Sequence, residues 1–129
     1  MMRKLAIFLA ALLAAVSCVE KTDDIFSTVT LNTVLSDGEV PVSIKIDSRQ
    51  DGNFFQNINT GEDYEYPLFV NGSCTMRVQK GVYILGFDGT ATMADGTQKT
   101  VRCSEHRSPN SSVNLIEDTE VLELNLIAR

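Results

Sequence analysis

The stretch GVYILGF, residues 81–87, decides the fold class because it is apolar on both faces of an extended chain. Successive side chains of a β-strand point to opposite sides. One face consists of Val82 and Ile84, the other of Tyr83, Leu85 and Phe87. A short run that is apolar on both faces is typical of a strand covered from both sides. We therefore expect a central strand here.

Other segments alternate apolar and polar residues, as strands with one buried face do. The clearest are STVTLNTVL (27–35), VPVSIKI (40–46) and VLELNLI (121–127), and weaker ones lie at 54–58, 64–70, 73–78 and 97–103. Expected core positions are Val29, Leu31, Leu35, Val40, Val42, Ile44, Ile46, Leu122, Leu124 and Leu126. Turn sequences recur at short spacing, and no segment after residue 20 keeps a helical period. These patterns predict an all-β fold, an antiparallel β-sandwich of about seven to eight short strands, as one domain over residues 27–129.

Asn71-Gly72 is a strong signal for a two-residue hairpin turn. A tight turn sets Val70 opposite Ser73 and aligns Leu68 with Thr75, a pairing that a buried face would not choose. Either the turn is longer than two residues, or the core face consists of the residues adjacent to this set along each strand. We expect the second arrangement, with Phe69, Cys74, Met76 and Val78 facing the core.

The segment MRVQKGVYILGFDG (76–89) resembles the strand, glycine, tyrosine and strand pattern of prealbumin-like domains, the carboxypeptidase-regulatory type of sandwich. DTEVLELNLI (118–127) is similar to the late strand that closes a sheet in that family. The resemblance implies a β-sandwich that serves as an accessory module beside glycan-uptake or pilus-like systems.

The N-terminal segment has the features of an export signal. Arg3 and Lys4 precede twelve apolar residues, Leu5–Val16, a run too short to span a bilayer but typical of a secretory signal. The residues before Cys18 resemble the bacterial lipobox, which implies a signal peptide over residues 1–17 and a diacylglyceryl group on the Cys18 thiol. The alternatives are an ordinary cleaved signal and a retained anchor.

Residues 18–26 form an acidic tether that contains Glu20, Asp23 and Asp24. A charged segment with few aromatic residues stays solvated. It resembles the acidic export tract of Bacteroidota surface lipoproteins, which implies lipid anchoring in the outer membrane with display on the cell surface. The alternative is the periplasmic face of that membrane. At ~3.3 Å per residue the tether spans at most ~30 Å, so the domain lies close to the membrane.

The charge balance excludes nucleic acid as a partner. The net charge of the whole chain is −6, and without Arg3 and Lys4 nine basic residues stand against seventeen acidic ones, which gives −8. A nucleic-acid-binding protein needs a basic patch. The only dense basic spot contains Arg102, His106 and Arg107.

The sequence predicts no enzyme, metal site or cofactor. A triad needs three converging side chains, and the neighbouring residues Ser104–His106 lie in one polar loop. Zinc would need more histidine or cysteine ligands than the chain offers. DSRQDGN (47–53) places Arg49 where a calcium loop needs a ligand, so we interpret it as a turn. The carboxylate pairs Glu62-Asp63 and Glu117-Asp118 lie in polar linkers, where solvated charge is expected.

Two residue pairs remain as candidate sites. Tyr64 and Tyr66 share one face of a strand, where they either pack into the core or form a stacking platform for a sugar or an apolar patch. Cys74 and Cys103 both point inward, either as free buried thiols or as the disulfide that an oxidising envelope favours.

These observations favour a non-catalytic, lipid-anchored binding or accessory module for a protein or glycan partner at the envelope. The alternatives are an anchor or assembly subunit of a surface appendage, and an inhibitor of a secreted enzyme. An unpaired edge strand would favour assembly by strand addition, and an exposed pair Tyr64 and Tyr66 would favour ligand binding.

Overall fold

The computed structural model describes residues 25–128, so the predicted signal peptide, Cys18 and most of the tether lie outside the described residues. Nine strands and one short 3-10 helix make up the fold. The strands are β1 (Phe26–Leu35), β2 (Ser43–Lys45), β3 (Phe54–Asn57), β4 (Phe69–Val70), β5 (Ser73–Gln79), β6 (Gly81–Thr92), β7 (Gln98–His106), β8 (Val113–Leu115) and β9 (Thr119–Ala128), with the 3-10 helix at Pro109–Ser111. The all-β prediction is confirmed.

Seven of these strands close into a β-barrel, and the predicted antiparallel sandwich is therefore wrong. The ring runs β2, β4, β5, β1, β9, β7 and β6, and β6 pairs again with β2. β3 and β8 attach to β6 outside the ring. Closure removes the two long free edges that a sandwich would leave.

The pairing of β1 with β9 is parallel, whereas all other ring pairs are antiparallel. A closed ring with an odd number of strands cannot alternate in direction throughout, so one neighbouring pair must run the same way. Here the first and last strands of the domain form that pair, from Thr28 opposite Thr119 to Leu35 opposite Leu126.

The inward side chains fill the barrel, as in other small barrels. Fully buried residues come from every ring strand: Val29, Leu31, Ile44, Phe69, Val78, Tyr83, Leu85, Phe87, Val101, Cys103, Leu124 and Leu126. The predicted inward faces of β1 and β9 are confirmed, with Leu122 partly buried. On the segment 40–46 Pro41 and Ile44 are buried, and Ile46 is partly buried. Val40 and Val42 are exposed, which corrects the prediction, because β2 is only three residues long.

β6 is the central strand that the sequence predicted. It is the longest strand and pairs with β2, β3, β7 and β8. The ladder with β7 changes register between Leu85 and Phe87, where Gly86 of β6 lies opposite two residues of β7, Ser104 and Glu105, so the extra residue of this β-bulge is on β7. Bulges commonly redirect a neighbouring side chain.

The Asn71-Gly72 hairpin is confirmed. Both residues have positive φ, 52° and 76°, as a type I′ turn requires, and Val70 lies opposite Ser73. Phe69, Cys74 and Val78 are buried, while Leu68 is 62% exposed. The tight turn and the core face expected for it are therefore both present.

The segment 64–70 is a strand only at Phe69–Val70. Pro67 cannot donate a backbone hydrogen bond to a neighbouring strand. The two tyrosines before it bond through their hydroxyls instead: Tyr66 donates to the Phe54 carbonyl oxygen (2.6 Å), and the Gln79 N–H donates to the Tyr64 hydroxyl (3.0 Å).

Candidate functional site

The two sides of β9 are paired to very different extents. Toward β1 the ladder is continuous, from Thr119 to Leu126. Toward β7 only two residue pairs form, Val101 with Ala128 and Arg102 with Ile127. The barrel wall is therefore thin between β7 and β9. We call the part of β9 from Thr119 to Asn125, on its β7 side, the β9 seam.

Backbone groups along the β9 seam have no strand partner in the described chain. The Asn125 N–H points toward β7, where it donates to Glu105 Oε1 (2.5 Å). Successive residues of a strand direct their N–H and C=O groups to alternate sides. The groups of Val121 and Glu123 therefore point into the seam as well, and within residues 25–128 no ladder partner meets them.

Glu105 lies at the Asn125 end of the seam. Its Oε1 accepts from the Asn125 N–H, and its Oε2 accepts from the Asn125 side-chain amide (3.3 Å). At the other end, Glu120 Oε2 accepts from the N–H of Ile116 (3.1 Å). Within the seam, the carboxylate of Glu105 therefore takes the place of a strand carbonyl, and Glu105 is an exposed side chain that can move aside. Glu120 instead bonds the loop that precedes β9.

Apolar side chains accompany the seam on the outer surface. Val121 is 63% exposed and Ile127 is 55% exposed. Exposed valine and isoleucine on a partly paired strand are what natural sheet edges generally avoid, because such edges pair with other chains. The seam therefore combines free backbone groups with an apolar outer surface.

A depression of about 540 Å³ lies on the outer surface beside the closed end of the seam. Arg102 and Asp88 form a two-point ion pair in it, Nε to Oδ1 at 2.7 Å and Nη2 to Oδ2 at 3.1 Å. The hydrogen bond with Asp88 raises the pKa of Arg102 above its ordinary value. Arg107 lies in the same depression, and Ile127 forms part of its wall. In the sequence, Arg102 and Arg107 stand out only as part of the one dense basic spot of an acidic chain.

The predicted tyrosine platform has its rings against the core. The Tyr66 ring packs at 4.9 Å from Phe87 and 5.7 Å from Phe55, measured between ring centroids. Tyr64 packs at 6.3 Å from Tyr83. Burial raises the pKa of Tyr66 well above its ordinary value. Of the two alternatives for this pair, the geometry favours packing against the core.

The predicted disulfide is not formed: Cys74 and Cys103 are both free and both buried. They lie on β5 and β7, with β1 and β9 between them in the ring. Leu31 of β1 pairs with Cys74 on one side and with Leu122 of β9 on the other, so Cys74 lies at the height of Leu122. On the other side of β9, Arg102, the residue before Cys103, pairs with Ile127. Two intervening strands and a shift of several residues exceed the ~7 Å between Cα atoms that a disulfide allows. Burial raises the pKa of each thiol to about 12.

The polar residues considered for catalysis do not converge. His106 Nδ1 lies 2.9 Å from the Ser111 carbonyl oxygen, while Glu105 points to Asn125. Ser104–His106 lie in β7, so the expected polar loop is wrong at these residues; Ser104 and Glu105 are exposed and His106, the last residue of the strand, is half-buried. Among the carboxylate pairs, Asp118 pairs with Lys80 at 2.6 Å.

The segment 47–53 forms a turn, as the sequence indicated. The Asp47 carboxylate accepts from the Arg49 N–H (3.0 Å), and Gly52 has a positive φ of 92°. Within residues 25–128, no group of three or more His, Cys, Asp or Glu side chains is placed to hold a metal ion. The same residues contain no helix long and apolar enough to span a membrane.

No protein-family model matches the chain, and no curated protein sequence does. Among solved structures, the chain is similar to a DUF4876 family protein from Bacteroides thetaiotaomicron, with a TM-score of 0.54 and 13% identity. The match covers 80% of this chain but only 23% of that protein. At this identity the likeness concerns the fold alone.

Sequence reasoning missed the β9 seam. The alternation in VLELNLI predicts which side chains face inward. It does not predict which edges are paired, because the backbone hydrogen bonds lie in the plane of the sheet and do not depend on that alternation. One signal was available: Val121 and Ile127 are apolar residues on the outer face, where the neighbouring Glu123 and Asn125 are polar.

Proposed function

We propose that this protein is a non-catalytic, lipid-anchored module of the bacterial envelope that binds a partner protein by strand addition at the β9 seam. The observation that carries the proposal is the contrast between the two sides of β9: one forms a continuous ladder, and the other has ladder partners only at Ile127 and Ala128. An extended segment of a partner can satisfy the backbone groups that have no ladder partner, and the outward side chains provide specificity.

The geometry favours a protein partner over a glycan. Sugar rings bind to exposed aromatic faces, and both tyrosines of the expected platform pack against the core. The chain contains no tryptophan. A peptide partner instead needs main-chain groups and apolar contacts, and Val121 and Ile127 offer the latter.

The anchor part of the proposal rests on the sequence. Cys18 follows an apolar export signal and begins the acidic tether, which supports lipid attachment in the outer membrane and display on the cell surface. Acyl chains contribute ~0.8 kcal/mol per buried CH₂, so two or three chains hold a protein firmly on a membrane. We expect Cys18→Ala to release the protein into the soluble fraction or leave it unprocessed. A variant that still partitions into detergent like the parent would overturn the anchor.

Site-specific photo-crosslinking in intact cells tests the binding mode. A benzoylphenylalanine at Val121 reports on the seam. One at Thr90, which is exposed and pairs with Lys45 on one side and Thr100 on the other, reports on a fully paired part of the wall. We expect a crosslinked partner at Val121 and none at Thr90. Adding Glu123→Pro, which removes a seam-facing N–H, should abolish that crosslink.

The mass of the crosslinked product separates a binding module from an assembly subunit. A heterologous partner supports the binding module, whereas a ladder of multiples of this chain supports the assembly subunit. Equal crosslinking at both positions, or a crosslink that survives Glu123→Pro, would overturn strand addition.

A further inference from the structure

The side chain of Arg107 is held in place by three neighbours. A Cβ atom at Gly86 would lie 2.6 Å from Arg107 Cγ and 2.9 Å from its Nε, so the arginine crosses β6 where a glycine leaves room. Its Nη1 donates to the Gly52 carbonyl oxygen at 3.2 Å. Its Cζ lies 5.8 Å from the centre of the Phe54 ring, within the range of a cation–π contact.

The charge of Arg107 is not balanced by an ion pair. Arg102 in the same depression is bound at two points by Asp88, and Asp51 also lines the depression. Across residues 25–128, however, no carboxylate lies within ion-pair distance of Arg107. A half-buried guanidinium has five N–H donors, and the only hydrogen bond described for this one is to Gly52. Donors remain for a ligand in the depression.

We infer that Arg107 binds a carboxylate of an acidic peptide segment. A planar guanidinium matches a carboxylate with two parallel hydrogen bonds. Ser104 supplies a hydroxyl in the same depression, and the exposed side chain of Ile127 forms an apolar wall for the residue next to the acidic one. Because Gly52, Phe54 and Gly86 already fix the arginine, little side-chain entropy is lost on binding.

This inference deepens the proposed function, because it rests on a protein partner and assigns that partner an acidic residue beside an apolar one. The depression adjoins Ile127, where the seam closes. A partner strand that leaves the seam at this end would place a side chain over Arg107.

The probes are two small molecules that carry the same charge. Acetyl-Leu-Glu-amide presents a peptide carboxylate beside an apolar side chain, and glucuronate presents the carboxylate of an acidic sugar. Titration of the folded domain, followed by NMR at the amides of Gly86, Ser104 and Ile127, should give saturable shifts with the peptide and at least fivefold weaker binding of glucuronate. Equal or stronger binding of glucuronate would overturn the peptide assignment, and no shift with either would overturn the site.

Variants of Arg107 distinguish a two-point hydrogen bond to the carboxylate from attraction by positive charge alone. Arg107→Gln should abolish the shifts, and Arg107→Lys, which keeps the charge but loses the two-point geometry, should weaken binding about tenfold. The control Arg77→Gln removes one positive charge on β5, across the barrel, and should change affinity less than twofold. If it weakens binding as much as Arg107→Gln, long-range attraction explains the result and the site is overturned. Because these probes bind without a partner, a negative result leaves the crosslinking test of strand addition unaffected.

Discussion

The two sides of β9 differ although they belong to the same ten residues. Toward β1, eight consecutive residue pairs form a parallel ladder, and Leu124 and Leu126 beneath it are fully buried. Toward β7, two pairs and the carboxylate of Glu105 close the wall. The first side therefore stabilises the barrel, while the second leaves backbone groups available. One strand can thus serve stability and binding at once, through its two opposite edges.

The largest difference in the free energy of unfolding is expected between proline substitutions at two adjacent positions of β9. Leu122→Pro removes an N–H that faces β1 and should destabilise the fold by about 3 kcal/mol or more, because proline in a paired strand also breaks the ladder. Glu123→Pro removes an N–H that faces the seam and should cost about 1 kcal/mol or less. Urea denaturation measures both. Similar losses would mean that the Glu123 N–H is bonded within the wall.

Alkaline pH should destabilise the protein through the two buried thiols. Cys103 lies on β7, next to β9 in the ring, and Cys74 lies on β5, beyond β1 on the other side of β9. Their pKa is about 12 in the folded state, against ~8.5 for an exposed cysteine. Above pH ~9 the unfolded chain loses protons that the folded chain keeps, so the unfolded state binds fewer protons and stability falls up to pH ~12. Below pH 8 this contribution is constant.

Urea midpoints at pH 7, 9 and 10 measure this fall. The double variant Cys74→Ala, Cys103→Ala is the control and should show a shallower fall between pH 8 and 10. The fall that remains toward pH 10 comes from buried tyrosines such as Tyr66 and Tyr83, whose pKa is also raised by burial. A parent protein with the same shallow profile would contradict two free thiols.

The order of thiol modification tests whether the seam opens in solution. Cys74 is 8% exposed and Cys103 is fully buried, so a static barrel should react first at Cys74. Opening at the seam would uncover β7 and reverse that order, which is the result we expect. Mass spectrometry after brief alkylation at pH 8 gives the two rates. Faster reaction at Cys74 would indicate that the wall between β7 and β9 stays closed.

The smallest effect is expected from Glu105→Ala. The lost hydrogen bonds are exposed to solvent, so the free energy of unfolding should change by less than about 1 kcal/mol. The Asn125 amide should nevertheless exchange with deuterium much faster, while the neighbouring Leu124 amide, which faces β1, stays protected. Glu123→Ala removes another exposed carboxylate from β9 as the matched control. If Asn125 exchange is unchanged in Glu105→Ala, another group closes the seam.

Side-chain alternation was enough to predict most of the core. Val29, Leu31, Ile44, Leu124 and Leu126 are buried as expected, because each strand buries one face whatever its neighbours are. The Asn71-Gly72 turn was equally predictable, since its two positive φ values are a local property of these residue types. Local rules thus gave the elements and their inward faces.

The arrangement of those elements could not be predicted in the same way. Whether sheet edges meet to form a barrel depends on pairings such as Ile44 with Ala91, which connect distant segments and are not encoded in alternation. The disulfide could not be predicted for a related reason. Cys74 and Cys103 both point inward, but their positions along the barrel axis depend on the strand register. The position of Arg107 depends in turn on the bulge at Gly86.

The parallel contact between β1 and β9 also affects how quickly the chain can reach its final form. Thr28 and Thr119 are opposite each other although 91 positions separate them in sequence (119 − 28). Bringing such distant segments together costs loop-closure entropy before any contact rewards it, so folding of such topologies is slow. β1 cannot complete its hydrogen bonding until β9 arrives, and until then one edge of β1 is open to pairing with other chains. The time for which that edge stays open, more than the stability of the finished barrel, then determines how readily the chain aggregates while it folds.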